Sequence, residues 1–412
     1  MALPQVEVNG RTYGPVDETV VVVCVDGSEP AYHEQAIAAG RMPFLAKALD
    51  GGGTSLDATC AMPSFTNPNN LSIATGVPPS VHGICGNYFF DRDSGDEVMM
   101  NDPKWLRVPT LFSAYADRGA KVAIVTAKDK LRRLLGAGLR DGTCFSAEHA
   151  DKVTKAEHGI DDVLGLVDMP LPSVYSAELS ELAMAAGVEV LRRERPDVMY
   201  LSLTDYIQHK HAPGSPTAND FYAMLDGYCE RLDELGCVLV VTADHGMNAK
   251  SQPDGTPEVV YLQQELDGWI GADAARVILP ITDPYTVHHG ALGSFATVYL
   301  PDGADVAGLR DRIAGLAGVE LVLTADEACP RFELPADRMG DLVVVGDRDT
   351  ALGTTPDRHD LTQLREPLRS HGGLAEENVP FLVNRGVSGL PEGHRLRNFD
   401  AYWVAANFVR RP

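Results

Sequence analysis

Val238-Leu239-Val240-Val241-Thr242-Ala243-Asp244-His245-Gly246 is the stretch that decides the fold. Its first six residues are almost wholly apolar and rich in β-branched side chains, which suits a strand buried on both faces in a parallel sheet covered by helices. The run stops on a carboxylate and an imidazole, so such a strand would deliver two kinds of metal ligand to one point beyond its carboxyl end. A strand ending in Asp-His-Gly also reads as a simple turn, and the rest of the chain has to separate the two readings.

The same pattern recurs. Thr19 to Val25 is an apolar run that ends on Asp26, with Gly27 for the turn, and Val198 to Leu203 leads into Asp205-Tyr206-Ile207-Gln208-His209. Four positions separate Asp205 from His209, which puts both on one face if the segment is helical. Lys121 to Thr126 is a further strand-like run, and helix-like segments over 43–49, 109–116, 175–192 and 220–235 lie between the strands. This alternation predicts an α/β fold, a mostly parallel sheet sandwiched by helices. Open sheets of this kind bind ligands outside the carboxyl ends of their strands, so Asp26, Asp205, His209, Asp244 and His245 are expected to converge there, joined by His371 from His371-Gly372-Gly373. Three carboxylates and three imidazoles exceed what one tetrahedral ion takes and suit two. Oxygen and nitrogen donors without thiolates favour Zn2+, with Mn2+ or Fe2+ also accommodated. Taken singly, each residue has a plainer reading, since Asp caps helices and His fills cores.

A reacting group stands in Met62-Pro63-Ser64-Phe65-Thr66-Asn67-Pro68-Asn69-Asn70. Pro68 suits the start of a helix and Gly76 its end. Thr66 would then sit at the amino end, where unpaired N–H groups and the macrodipole favour an anion. A hydroxyl held there by a divalent ion can lose its proton near neutral pH and attack phosphorus. Without the metal ligands, Thr66 reads as a helix cap.

In this order, Asp26, Thr66, Asp205 to His209, Asp244-His245 and His371 resemble the two-zinc alkaline phosphatase superfamily, over most of the chain from the first strand to about residue 375. The resemblance implies one ion on Asp205, His209 and His371, and another on Asp26, Asp244, His245 and the Thr66 oxygen. Within the superfamily, Met62 to Asn70, Gly86-Asn87-Tyr88-Phe89 and Lys128-Asp129-Lys130 most resemble the phosphonoacetate hydrolases. The nucleotide pyrophosphatase/phosphodiesterases share the ligand set and the threonine and are the rival reading. Sulfatases need a Cys/Ser-x-Pro-x-Arg pattern, which is absent around Thr66.

The resemblance therefore implies hydrolysis of the carbon–phosphorus bond of phosphonoacetate to acetate and phosphate through a phosphorylated Thr66. The leaving acetate passes through an enolate-like dianion, and cationic groups aimed at its carboxylate lower that barrier electrostatically. Lys128 and Lys130 follow the 121–126 run at its carboxyl end, where an extended chain would point both the same way. By composition they also read as solvated lysines opening a helix over 129–135. Asn87 resembles the amide that binds a phosphoryl oxygen, and His289, in His288-His289-Gly290, is expected to reach the substrate carboxylate.

After Gly246 the texture changes. Strand-like 296–300, 320–324 and 341–345 and a helix over 306–316 describe a compact α+β unit. The expected organisation is a catalytic core over 1–249 and 369–412 with an inserted cap over 250–368. A chain of 412 residues exceeds the ~250 to 300 at which a single core stops growing. The net charge of −23 disfavours nucleic acid and anionic membrane as partners. It also repels a small anionic phosphonate at long range, so cations inside the cleft must attract the substrate. Seven cysteines without a Cys-x-x-Cys pair describe neither a disulfide framework nor a thiolate zinc site. No secretory leader pattern or membrane span is read, and a soluble, cytoplasmic enzyme is expected, compatible with a homodimer. Gly51-Gly52-Gly53 lacks the Lys-Ser/Thr of a phosphate loop, and Gly136, Gly138 and Gly142 miss the dinucleotide spacing. A zinc-binding protein without turnover is the remaining class, against which Thr66 speaks.

Overall fold

The computed structural model describes residues 4–282, 289–362 and 364–410. Seven strands form the central sheet, in the order Thr54–Thr59, Asn378–Val383, Val238–Thr242, Val20–Cys24, Val198–Ser202, Val122–Thr126, Thr143–Ser146. The five from Val238–Thr242 onward run parallel, whereas Asn378–Val383 is antiparallel to both of its neighbours. The fold is therefore α/β with a mixed, mostly parallel sheet. Four of the parallel strands are buried along their whole length.

Strand periodicity explains how one sheet serves two cores. Val20, Val22 and Cys24 face one side, with Val122, Ile124, Val238 and Val240. Val21, Val23 and Val25 face the other, with Ala123, Val125, Leu239 and Val241. The helix Thr66–Thr75 covers the first face through Leu71, Ile73 and Ala74. The helices Glu178–Glu194 and Pro216–Glu234 cover the second through Leu179, Leu182, Phe221, Tyr222 and Leu225. Each Val, Leu, Ile or Phe side chain removed from water contributes about 1.5–3 kcal/mol, which fixes the register of every strand and so the positions of its end residues.

Two strands escape the expectation. Thr54–Thr59 lies at the edge with only Ala58 buried, and Asn378–Val383 carries Pro380. Pro380 pairs with Asp57 on the edge side but lies beyond the residues paired with the Val238 strand, so its missing N–H costs that ladder nothing. A correction also applies to 205–209: the segment folds as consecutive turns rather than a helix. A single backbone bond from the His209 N–H to the Asp205 carbonyl, 3.0 Å, reproduces one helical turn and keeps the two side chains together.

A second, antiparallel sheet contains Arg276–Ile278, Phe295–Tyr299, Leu342–Gly346 and Val319–Thr324 in that order. Ala296, Val298, Leu342 and Val344 pack in its own core with Leu309 and Ile313 of the helix Val306–Ala314. Phe295, Val343 and Val345, on its other face, join the core of the central sheet. Asn248–Ala249 pairs antiparallel with Arg369–Ser370, so the chain leaves for the second sheet and returns from it at one place. Among the described residues, no helix is long and apolar enough to cross a membrane.

Candidate metal centre

Two triads of ligand-type side chains lie at the carboxyl ends of the parallel strands. Asp205, His209 and His371 form one, Asp26, Asp244 and His245 the other, and within each the ligand atoms lie within 4.8 Å of one another. The imidazoles of His245 and His371 stack with centroids 3.6 Å apart and planes 6° apart, which sets the triads side by side. The six predicted Asp and His ligands thus meet in one place.

The histidines are held in one orientation. The Nδ1 atoms of His209, His245 and His371 lie 2.9, 2.8 and 2.8 Å from the backbone carbonyls of Arg369, Gly246 and Ser64. A carbonyl only accepts, so each Nδ1 carries a proton, and in the neutral ring each Nε2 turns its lone pair toward the cluster. His209 Nε2 lies 2.9 Å from Asp205 Oδ2, and His245 Nε2 lies 3.3 Å from Asp26 Oδ1.

The carboxylates are supported as anions. Asp244 Oδ1 accepts the N–H groups of Gly27 at 3.2 Å and His245 at 3.1 Å, and its Oδ2 accepts the Asn70 amide at 3.0 Å. Burial and the neighbouring Asp205 and Asp244 carboxylates nevertheless push Asp26 well above the usual carboxylate range. Burial also raises Asp244, although His245 opposes it. At Asp205 burial acts the same way but is outweighed by His209 and Lys128, which hold the carboxyl well below its ordinary range. His371 is driven well below the usual histidine range by burial and by its two imidazole neighbours.

Such a cluster fits divalent cations. Asp26 Oδ1 is buried with no hydrogen-bond donor, three imidazole lone pairs converge, and three carboxylates repel one another inside a low-dielectric cleft. Positive charge between them removes all three costs, and the nitrogen and oxygen donor set suits Zn2+, Mn2+ or Fe2+.

Thr66 opens the helix Thr66–Thr75, with Phe65 as its cap residue and Gly76 closing it at φ 72. Pro68 therefore stands two residues inside the first turn. Thr66 Oγ1 lies 3.3 Å from His245 Nε2. The loop before it is laced to the loop of His371: Ser64 Oγ donates to the Gly373 carbonyl at 2.8 Å and accepts the Gly372 N–H at 3.0 Å. Gly372 has φ +117, and a Cβ there would lie 2.4 Å from the Phe65 ring, so no other residue fits this crossing.

Lys128 is the cap residue of the helix Asp129–Leu135, about half exposed, with Nζ 3.8 Å from Asp205 Oδ1. Burial lowers its basicity, but Asp205 and Asp26 outweigh that and keep it charged. Lys130 is exposed inside that helix, so the expected extended geometry, with both lysines pointing one way, does not hold. The Asn87 amide donates to the Ile281 carbonyl, which leaves its second N–H for another acceptor. His289 opens a short 3-10 turn, His289–Ala291; its side chain, like the whole of His288, lies outside the described residues.

Sequence reasoning missed the supports. Asn70 is fully buried, donates to Asp244, and accepts from the Tyr200 hydroxyl at 2.7 Å and the Ser202 hydroxyl at 3.0 Å. Asn69, also fully buried, donates to the carbonyls of Ala61, Pro63 and Phe65 and accepts the Ala61 N–H, which shapes the loop into Thr66. Both stand in the Asn69-Asn70 pair quoted from the sequence, but only depth of burial separates a support from a solvated amide.

Residues 20–374 match the family model described as type I phosphodiesterase / nucleotide pyrophosphatase. An uncharacterized pyrophosphatase/phosphodiesterase of Schizosaccharomyces pombe is 23% identical over 252 residues, which are 56% of this chain and 44% of that protein. Human ectonucleotide pyrophosphatase/phosphodiesterase family member 1 is 25% identical over 243 residues, 55% of this chain and 23% of that protein. The chain thus spans less than half the length of these curated relatives. Among solved structures, phosphonoacetate hydrolase from Sinorhizobium meliloti, crystallised with phosphonoacetate, superposes with a TM-score of 0.94 at 58% identity over 98% of this chain and 99% of that one. Murine ectonucleotide pyrophosphatase/phosphodiesterase 5 gives a TM-score of 0.64 at 18% identity over 96% of each chain, a likeness of fold. With a model matched across both triads and Thr66, the chain belongs to the type I phosphodiesterase/nucleotide pyrophosphatase family.

Proposed function

We propose that this protein hydrolyses the carbon–phosphorus bond of phosphonoacetate to acetate and phosphate. The observation that carries the reading is the 58% identity, over 98% of the chain, to a phosphonoacetate hydrolase solved with that compound. Lys128 beside Asp205 adds a cation at the site where the carboxylate-bearing leaving group needs one.

Two divalent ions, zinc in this reading, would be held by Asp205, His209 and His371 and by Asp26, Asp244, His245 and the Thr66 oxygen, and would acidify hydroxyl groups and neutralise phosphoryl oxygens. Thr66 Oγ attacks phosphorus as the carbon–phosphorus bond breaks. The bonding pair leaves with carbon as the enolate-like dianion of acetate, which Lys128 stabilises and which takes a proton to give acetate. Water then attacks the phosphorylated Thr66, releasing phosphate and restoring the hydroxyl. Asn87 supplies an N–H to a phosphoryl oxygen, and Lys130 and His289 are the further candidates for contact with the carboxylate. Residues 250–368 act as a cap over the cleft, excluding water.

Phosphate release from phosphonoacetate by the purified protein, before chelation, after it and after zinc return, tests the reading. Activity that disappears with chelation and returns with zinc is expected; no release under any condition sinks it. The family model favours one rival, a phosphodiesterase acting on nucleotide diesters. Faster hydrolysis of a nucleotide diester than of phosphonoacetate would select that rival.

A further inference from the structure

Arg369 ties together two of the ligand-bearing loops that follow the sheet and stands close in sequence to a third ligand, His371. Its Nε donates to the Gln208 carbonyl at 2.8 Å, within the Asp205–His209 turn. Its Nη2 donates to the Met247 carbonyl at 3.0 Å, two residues beyond His245, and lies 3.2 Å from the Tyr32 hydroxyl. Its own carbonyl accepts the Nδ1–H of His209 at 2.9 Å, and it stands two residues before His371. The Tyr32 hydroxyl in turn donates to the His211 carbonyl at 2.7 Å, closing the far end of the turn. Arg369 also pairs with Ala249 in the short ribbon where the chain returns from the second sheet.

We infer that Arg369 is a positioning residue that holds the Asp205–His209–His371 half-site against the Asp26–Asp244–His245 half-site, and so sets whether two ions bind together. The inference rests on the two-metal reading of the cluster. The physical reason is the guanidinium itself. A planar fork presents several N–H donors in fixed directions, so one side chain can tie two carbonyls from different loops at a defined separation. The Asp205–His209 turn needs such a tie because it is not a helix; a single backbone bond closes it, and the Arg369 carbonyl fixes its histidine. The Asp244–His245 loop needs it less, since Asp244 already accepts Gly27, His245 and Asn70. Loss of the fork should therefore loosen one half-site and spare the other. Lysine carries the same charge but is a point donor and cannot serve both carbonyls together.

Calorimetric titration of the metal-free full chain with Zn2+ tests this, with the wild type, Arg369→Gln and Arg369→Lys compared and the thermal unfolding of each metal-free form measured alongside. The wild type should bind two ions. Arg369→Gln should bind one with near-native affinity and the other about 10–100-fold more weakly, the range seen when support of a metal ligand is removed. Arg369→Lys should weaken the same single ion to a smaller degree, with metal-free melting close to wild type in both. Retention of both ions at native affinity overturns the inference. So does an equal weakening of both ions that tracks a lower metal-free melting temperature, since that is general destabilisation. Should Arg369→Gln fail to fold, Arg369→Lys decides on the same criteria. A wild type that binds two ions yet leaves phosphonoacetate intact would overturn the proposed substrate and leave the role of Arg369 standing.

Discussion

At the scale of single residues, the proposed nucleophile and the groups that hold the cluster in place are different side chains. Thr66 is the only hydroxyl within reach of His245 Nε2 among the described contacts, at 3.3 Å. Thr66→Ala should reduce phosphate release below detection while both ions remain bound, because it removes only the hydroxyl and leaves all six Asp and His ligands in place; near-native activity in that variant would end the nucleophile role. Asn70 acts at one remove. Its amide donates to Asp244 Oδ2, and its oxygen is fixed by Tyr200 and Ser202, so the amide cannot turn over without leaving two buried hydroxyls unpaired. Asn70→Leu strips a donor from a fully buried carboxylate and should weaken metal binding about 10–100-fold, measured by competition with a chelator. Tyr200→Phe removes only one of the two anchors and should cost far less, on the order of 1 kcal/mol in stability. Equal affinities in the Asn70 variant and the wild type would show that Asp244 needs no such support.

At the scale of elements, the helix Thr66–Thr75 is steadied by a short one, Pro79–His82, through a histidine that must stay neutral. His82 Nδ1 accepts the Ile84 N–H at 3.1 Å, so Nε2 carries the proton and donates to Ser72 Oγ at 2.9 Å. Burial depresses its pKa from 6.5 to about 3. The unfolded chain therefore takes up a proton that the folded chain refuses, and the contribution of His82 is fully present above pH 6.5 and is lost as pH falls toward 3. The slope in that window approaches about 1.4 kcal/mol per pH unit for one group. His82→Gln, less stable at neutral pH, should show a shallower fall in urea-unfolding free energy from pH 6.5 down to 4; parallel curves would refute the assignment. The same elements show what sequence could and could not reveal. Val20–Cys24, Val198–Ser202 and Val238–Thr242 were legible because burial on both faces leaves an apolar run, and the residues just past their ends marked the Asp and His side chains that converge. Asn378–Val383 was not, since Pro380 forbids a strand unless its N–H side lies past the ladder, a fact only the register supplies. Nor could the i, i+4 spacing of Asp205 and His209 tell a helix from a run of turns closed by one bond.

At the scale of the whole molecule, the candidate ligands come from positions 26, 205, 209, 244, 245 and 371, so no local segment can form the cluster and the entire central sheet must be in place first. Ions that bind only the folded chain then add to its stability, each occupied site by about 1.4 kcal/mol for every tenfold rise in free ion above its dissociation constant. The balance is sharper here because the protein carries a net charge of −23 and gathers Asp26, Asp205 and Asp244 in one buried cluster. Without cations, burial and mutual repulsion hold Asp26 far above its ordinary range, a cost the folded state bears alone. Chelation should therefore lower the melting temperature, and stepwise return of free Zn2+ should raise it continuously rather than to an early plateau. Added sodium chloride screens only the surface repulsion, over a Debye length of about 8 Å at physiological ionic strength, and should recover little of the loss. If salt restores the metal-free protein as fully as zinc does, the instability belongs to the acidic surface, and the buried carboxylates are not held apart by bound ions.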